Sequence, residues 1–190
     1  MKTIALTVVL SSLFLLPTIV FSSDNQTQLL QESRQSVKQF ASSLKGELKA
    51  AMKKGGPVNA IQVCNERAIP ITDTASQKNG VTLSRTSLKI RNPANVAEAW
   101  EHKILQNFED RKNNGESPKK MEFSEIIEID GKKQFRYMKA MAISQPCLHC
   151  HGEKALPDVE KKLSSLYPQD KARGYKLGDI RGAIVLVKDL

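Results

Sequence analysis

The sequence predicts an α+β domain, with helices first and an antiparallel sheet after them. Three observations lead there: apolar residues at helical spacing through residues 30–71, a two-residue Asp130-Gly131 turn between strand-like runs, and a β-branched run at 182–188. With 190 residues, 40% of them hydrophobic and 26% charged, the chain is neither disordered nor a multi-span membrane protein. Aromatic residues make up 5%, a poverty that leaves room for a large apolar cofactor. The net charge of +9 is spread along the chain, which suits an acidic partner or plain solubility and points to no nucleic-acid surface. Three cysteines exclude a fully paired disulfide framework.

Met1 and Lys2 open the chain with a positive charge. An apolar run from Ile4 to Leu16 follows, ended by Pro17, and Val20-Phe21-Ser22 fits the residues a signal peptidase reads. Residues 1–22 are expected to be a cleaved secretory signal. Residues 23–190 then form one domain in the periplasm, an oxidising compartment, with no membrane span in the mature chain.

Leu30, Val37, Phe40, Leu44, Leu48 and Ala51 line one face of a long helix, and Lys53-Lys54 then Gly55-Gly56-Pro57 supply its basic last turn and its stop. A second helix from Pro57 presents Ala60, Ile61, Cys64, Ala68 and Ile71, with a kink or an end expected at Pro70. Residues 81–90 read as a strand, broken by Arg91-Asn92-Pro93. Asn95 and Glu98 stand at capping-box spacing before a third helix striped by Ala97, Trp100, Ile104 and Phe108. Residues 111–120 read as a polar loop.

Around the Asp130-Gly131 turn, one register pairs Glu128 with Lys133, Glu125 with Arg136 and Glu122 with Lys139. The same register pairs Ile126 with Phe135 and Phe123 with Met138. A one-residue slip destroys all five pairs. The second of these strands runs from 134 to 143, directly into Pro146-Cys147.

Cys147-Leu148-His149-Cys150-His151 is the C-x-x-C-H signature of c-type haem attachment. Two thiols one helical turn apart can each bond a haem vinyl carbon, and the adjoining histidine then lies under the ring, within reach of iron. Gly152 permits a tight exit. A redox dithiol would call for a long helix after the motif, which Gly152 and Pro157 oppose, and a zinc site would call for a second ligand pair. For the opposite face of the iron the residues leave several candidates open: Cys64, His102, Met52, Met121, Met138 and Met141. His149, inside the attachment loop, cannot fold over the ring. His102 reads equally as a solvated side chain, the methionines as core, and Cys64 as a small buried hydrophobe.

Four stretches occur together and in order: Ile61-Gln62-Val63-Cys64, the run Ser87-Leu88-Lys89-Ile90-Arg91-Asn92-Pro93-Ala94-Asn95, the haem motif with Gly152, and Tyr167-Pro168-Gln169-Asp170 continuing through Gly174 to Ala183. In this combination the chain resembles the bacterial PAS-like c-type haem domain, a family whose members occur alone as exported proteins and as input domains of membrane-bound signalling proteins. The resemblance implies a PAS-like antiparallel sheet, one covalent haem c, and a His/Cys axial pair on His151 and Cys64. Ala140 departs from the pattern, since relatives often have proline there.

Arg91 and Arg181 are candidate partners of the haem propionates, because a guanidinium fork matches a carboxylate. Ion pairs with Asp170 or Asp179 are the equal alternative. Tyr175 and Trp100 read as core. The expected function is an exported mono-haem cytochrome, a redox module for electron transfer or for redox or gas sensing, with an unidentified redox partner for which the lysine surplus suggests an acidic surface. An enzyme is not expected. The competing readings are a peroxidase-type haem enzyme, which needs an open iron position, and a gas-binding protein of the helical cytochrome c-prime type, which the Asp130-Gly131 hairpin opposes.

Overall fold

The computed structural model describes residues 23–190; the expected secretory signal lies outside the described residues. The first element, α1 (Ser23–Asn79), is helical throughout except at Gly55 and Gly56. Gly56 has φ +65°, which a side chain would oppose, so the paired glycines fold the helix into two arms, 23–54 and 57–79. Asn59 Nδ2 donates to the Ala51 carbonyl at 2.9 Å across this break, meeting an acceptor that the end of the first arm leaves free. Ser36 bonds Asn79 and Glu47 pairs with Arg67, so the arms run antiparallel. The expected stop after Lys53-Lys54 is present. The expected break at Pro70 is absent: helix continues to Asn79, and Pro70 lies on the exposed face. The carbonyl that Pro70 cannot serve, that of exposed Glu66, can reach water instead.

The sheet has order β1-β4-β3-β2, every neighbour antiparallel: β1 (Thr82–Thr86), β2 (Glu122–Ile129), β3 (Lys132–Ala142) and β4 (Ile180–Asp189). All five predicted hairpin pairs are present. Asp130 and Gly131 have φ of 50° and 75°, both in the left-handed region that the two-residue hairpin turn needs. Alternation gives the sheet two apolar faces. Phe135, Tyr137, Ile184, Leu186 and Leu83 pack on Leu29, Val37 and Phe40 of α1. Met138, Ala140, Ala183 and Val185 pack on Leu105 and Phe108 of α2 (Ala99–Asn113). The sheet thus lies between the helical hairpin and α2, and the α+β class stands. The alternative with helix from 121 to 143 does not.

Three local expectations need correction. The strand expected over 81–90 ends at Thr86, because Ser87 turns to bond the carbonyls of Lys89 and Arg181. The cap of α2 is Glu98, whose N–H donates to Glu101 Oε2 at 3.0 Å; Asn92 instead caps a single 3₁₀ turn, Pro93–Asn95. The loop expected from 111 begins only after Asn113, since α2 gains a turn whose Arg111 pairs with Glu116.

Candidate haem-attachment site

Strand β3 delivers the chain to this site. After Ala142, Ile143 is held from both sides: its N–H bonds the Asp179 carbonyl at 2.8 Å and its carbonyl accepts from Gly178 N–H at 3.0 Å. A 3₁₀ turn (Gln145–Cys147) then leads into one helical turn, α3 (Leu148–His151). Ser144 N–H points at Cys147 Sγ at 3.4 Å. Gly152 closes the turn, its N–H on the Leu148 carbonyl at 3.0 Å; a Cβ there would stand 2.6 Å from that oxygen, so only glycine fits. The tight exit expected of Gly152 has this cause.

His151 Nδ1 lies 2.9 Å from the Ala172 carbonyl. A carbonyl only accepts, so Nδ1 carries the hydrogen and Nε2 the lone pair. Burial, then the charges of Arg91 and Arg181, push the imidazole down to about 3, so the ring is neutral and ready to act as a ligand across the ordinary pH range. Tyr175, 7% exposed, stands edge-on to this ring with centroids 6.2 Å apart. The core position expected of Tyr175 is present, and the same ring also walls the histidine.

A strap over residues 167–179 holds the motif in place. Tyr175 N–H bonds the His151 carbonyl at 2.9 Å, and Gly174 N–H bonds that of Gly152 at 3.0 Å. Asp170 anchors the strap: it accepts from Arg91 Nε at 3.1 Å, Arg173 Nε at 2.6 Å and Ala172 N–H at 2.9 Å, with its side chain 3% exposed. Burial works against its ionisation, but these donors more than offset that and hold its carboxyl below the usual range. Arg91 Nη2 also donates to the Cys150 carbonyl at 2.5 Å. One guanidinium therefore ties β1's exit loop, the haem motif and the strap together.

The ion-pair alternative for Arg91 is present, with Asp170. Arg181 pairs with neither Asp170 nor Asp179; its Nη1 donates to Ser87 Oγ at 2.8 Å and to the Lys89 carbonyl at 3.1 Å, while Lys112 takes Asp179.

The opposite wall is the second arm of α1, with α4 (Pro157–Leu166) behind the motif. Ile61 packs on Val159 and Leu163, and Cys150 sits against this cluster. Cys64 follows Ile61 by one turn and lies within electrostatic reach of Cys150. Burial pushes both thiols up, and for Cys64 the charges of Arg85 and Arg91 pull the other way. The remaining candidates lie elsewhere. Met121 and Met138 are core on the α2 face of the sheet, and His102 and His149 are exposed. Met141 packs toward the α1 core and Met52 is half-buried near the end of the first arm.

Two thiols and a neutral imidazole on one helical turn are a donor set that fits a haem. Cys64, Cys147 and Cys150 are free, and among the described residues no three His, Cys, Asp or Glu side chains converge as a metal cage. Asp170, Ala172 and Arg85 were not proposed as site residues from the sequence. Arg85 alone carried a readable signal, a charged residue two positions from Leu83 on the inward face of a short strand.

Residues 22–187 match the model of one protein family. The chain belongs to the Tll0287-like family. The match spans the helical hairpin, the sheet and the strap, and agrees with the PAS-like haem-domain resemblance drawn from the motifs. The crystal structure of the cyanobacterial haem protein Tll0287 superposes with a TM-score of 0.61 at 20% identity, covering 85% of this chain and 95% of that one, which shows a shared fold. No curated protein matches the chain. Among the described residues no helix is long and apolar enough to cross a membrane.

Proposed function

We propose that this Tll0287-like chain is an exported mono-haem c-type cytochrome that works as a redox module. Cys147 and Cys150 are the thioether residues, and His151 and Cys64 the axial pair. The reading rests chiefly on one observation: two free thiols and a histidine of fixed tautomer sit on a single helical turn braced by the strap. When bound, the haem supplies one-electron chemistry. The chain's own residues set the conditions for it. Ala172 aims Nε2, Asp170 aims Ala172, and the Tyr175 ring shields one edge of the histidine. Arg91 supports the motif through the Cys150 carbonyl, and Arg181 presents a guanidinium without a counter-charge to a haem carboxylate. With Cys64 on the second face, no iron position is left for peroxide, which favours a carrier or sensor over a peroxidase. The haem-protein description of Tll0287 supports the cofactor.

Mass spectrometry of the protein exported from a host with a haem-attachment apparatus tests the reading. One haem should remain bound in acidic organic solvent, with neither Cys147 nor Cys150 alkylated by iodoacetamide. Extraction of the haem into the solvent would overturn covalent attachment.

A further inference from the structure

The chain contains eight arginines, and six have a carboxylate partner: Arg34 with Glu122, Arg67 with Glu47, Arg91 with Asp170, Arg111 with Glu116, Arg136 with Glu125, and Arg173 with both Glu160 and Asp170. Among the described residues Arg85 and Arg181 have none. Both are only partly exposed, and burial lowers both from the usual arginine value. Arg181 at least donates to Ser87 Oγ and the Lys89 carbonyl. The Arg85 guanidinium has neither a hydrogen bond nor an ion pair among the described residues, its backbone being engaged in the β1–β4 pairing. A guanidinium carries five N–H donors and stays charged in proteins, so holding it half-buried without a counter-charge is unfavourable, and an anion brought beside it would relieve that.

Backbone register shows where Arg85 goes. In β1 it stands opposite Ile184 of β4, on the same face as Leu83. Leu83 and Ile184 both pack toward α1, so Arg85 leaves the sheet on the side of the helical hairpin that carries Cys64. The groups whose charges act on it are Cys64 and Tyr167, the latter at the end of α4. Arg181 acts instead on His151, and Arg91 acts on both Cys64 and His151. Arg85 therefore lies on the face of the sheet that packs against α1, the helix of Cys64, while Arg181 stands 5.8 Å from the ring centre of Tyr175, which in turn is edge-on to His151.

We propose that Arg85 is an anion-binding residue of the haem pocket and takes one haem carboxylate, with Arg181 serving the other. The assignment rests on the haem reading given above. A haem c carries two carboxylates, and the chain leaves two guanidiniums near the haem motif uncompensated. The fork of Arg91, the third arginine there, is engaged by Asp170 and by the Cys150 carbonyl. An arginine fork accepts a carboxylate through two parallel hydrogen bonds, which lysine cannot reproduce. Binding of an anion satisfies the donors of Arg85 and removes the cost of holding it unpaired beside the core.

The test uses the haem-loaded protein and compares Arg85→Gln, Arg85→Lys and, as a distant control, Arg67→Gln. Haem content by mass, the reduction potential and the propionate bending band in the resonance Raman spectrum are read for each. A cation near the ring favours the reduced form, so Arg85→Gln should shift the reduced-to-oxidised ratio about tenfold toward the oxidised form, 59 mV for one electron. It should also move the propionate band. Arg85→Lys should keep most of the potential and still move the band, because charge survives and the fork does not. Arg67→Gln should move neither. If Arg85→Gln is not recovered as folded protein, the Raman band of Arg85→Lys decides. A propionate band unchanged in both Arg85 variants overturns the proposal. A ferric spectrum altered at the thiolate with the band unchanged also overturns it, and assigns the guanidinium to Cys64. Wild-type protein that carries no haem defeats the cytochrome reading itself, a result distinct from either.

Discussion

Asp170→Asn probes the strap that aims the proposed iron ligand. Asp170 and Arg91 form a buried pair, with side chains 3% and 12% exposed, and Arg173 shares the same carboxylate. Asparagine keeps one oxygen for the Ala172 N–H but turns an amide N–H₂ toward two guanidiniums that are themselves donors only. Breaking a buried pair by removing one partner costs about 3–5 kcal/mol, because the surviving charge stays buried. Taking the lower bound and a urea slope of about 2 kcal/mol/M, the unfolding midpoint should fall by about 1.5 M at neutral pH with the slope unchanged. The gap between wild type and variant should also depend on pH. The folded-state pKa of Asp170 is depressed, so its contribution is complete above the unfolded carboxylate value of about 3.9, and is lost as pH falls through the lower folded value. The two unfolding curves should therefore converge below about pH 4. A midpoint shift under about 0.5 M at neutral pH would place the pair in the range of exposed salt bridges and refute this view of the strap.

The remaining expectations concern backbone. A Cβ on Gly182 would lie 2.1 Å from the Thr86 carbonyl oxygen, and its φ is +152°, so Gly182→Ala should separate β1 from β4. The loss should exceed about 3 kcal/mol, and near-wild-type thermal unfolding of this variant would contradict the close strand approach. Gly131→Val forces a β-branched side chain to φ 75° and should cost about 1–2 kcal/mol, a drop of roughly 5 °C in melting temperature. An unchanged melting temperature would mean that the hairpin turn adopts another geometry.

Legibility in the sequence followed how local the determinant was. The β2–β3 register could be read because its charges and apolar residues alternate in phase on both strands and the turn allows little else. The Gly55-Gly56 break could be read because Gly56 needs a backbone conformation that other residues avoid. Pro70 misled because the cost of a helical proline depends on which side it faces, and burial decides that. The cap of α2 moved from Asn95 to Glu98 because the 3₁₀ turn at Pro93 uses up the intervening residues. At the candidate site, the gathering of Cys147, Cys150 and His151 on one helical turn was legible from spacing alone. The bond from His151 to Ala172 was not, since it joins residues 21 positions apart through a backbone carbonyl that no side-chain pattern records. Arg85 stands two positions from Leu83, which marks it as sharing a strand face with that residue, but which face turns inward is decided only by the pairing of β1 with β4, far along the chain.

The ferric spectrum of haem-loaded Cys64→Ala, set beside that of wild type, tests the proposed axial pair most directly. The variant should retain haem through Cys147 and Cys150, lose the spectral signature of thiolate ligation, and show a higher reduction potential, because a thiolate favours ferric iron. An unchanged ferric spectrum and potential would contradict the pairing of His151 with Cys64, leave that thiol as a half-buried packing residue of the second arm of α1, and move the search for the second ligand to Met52 and Met141.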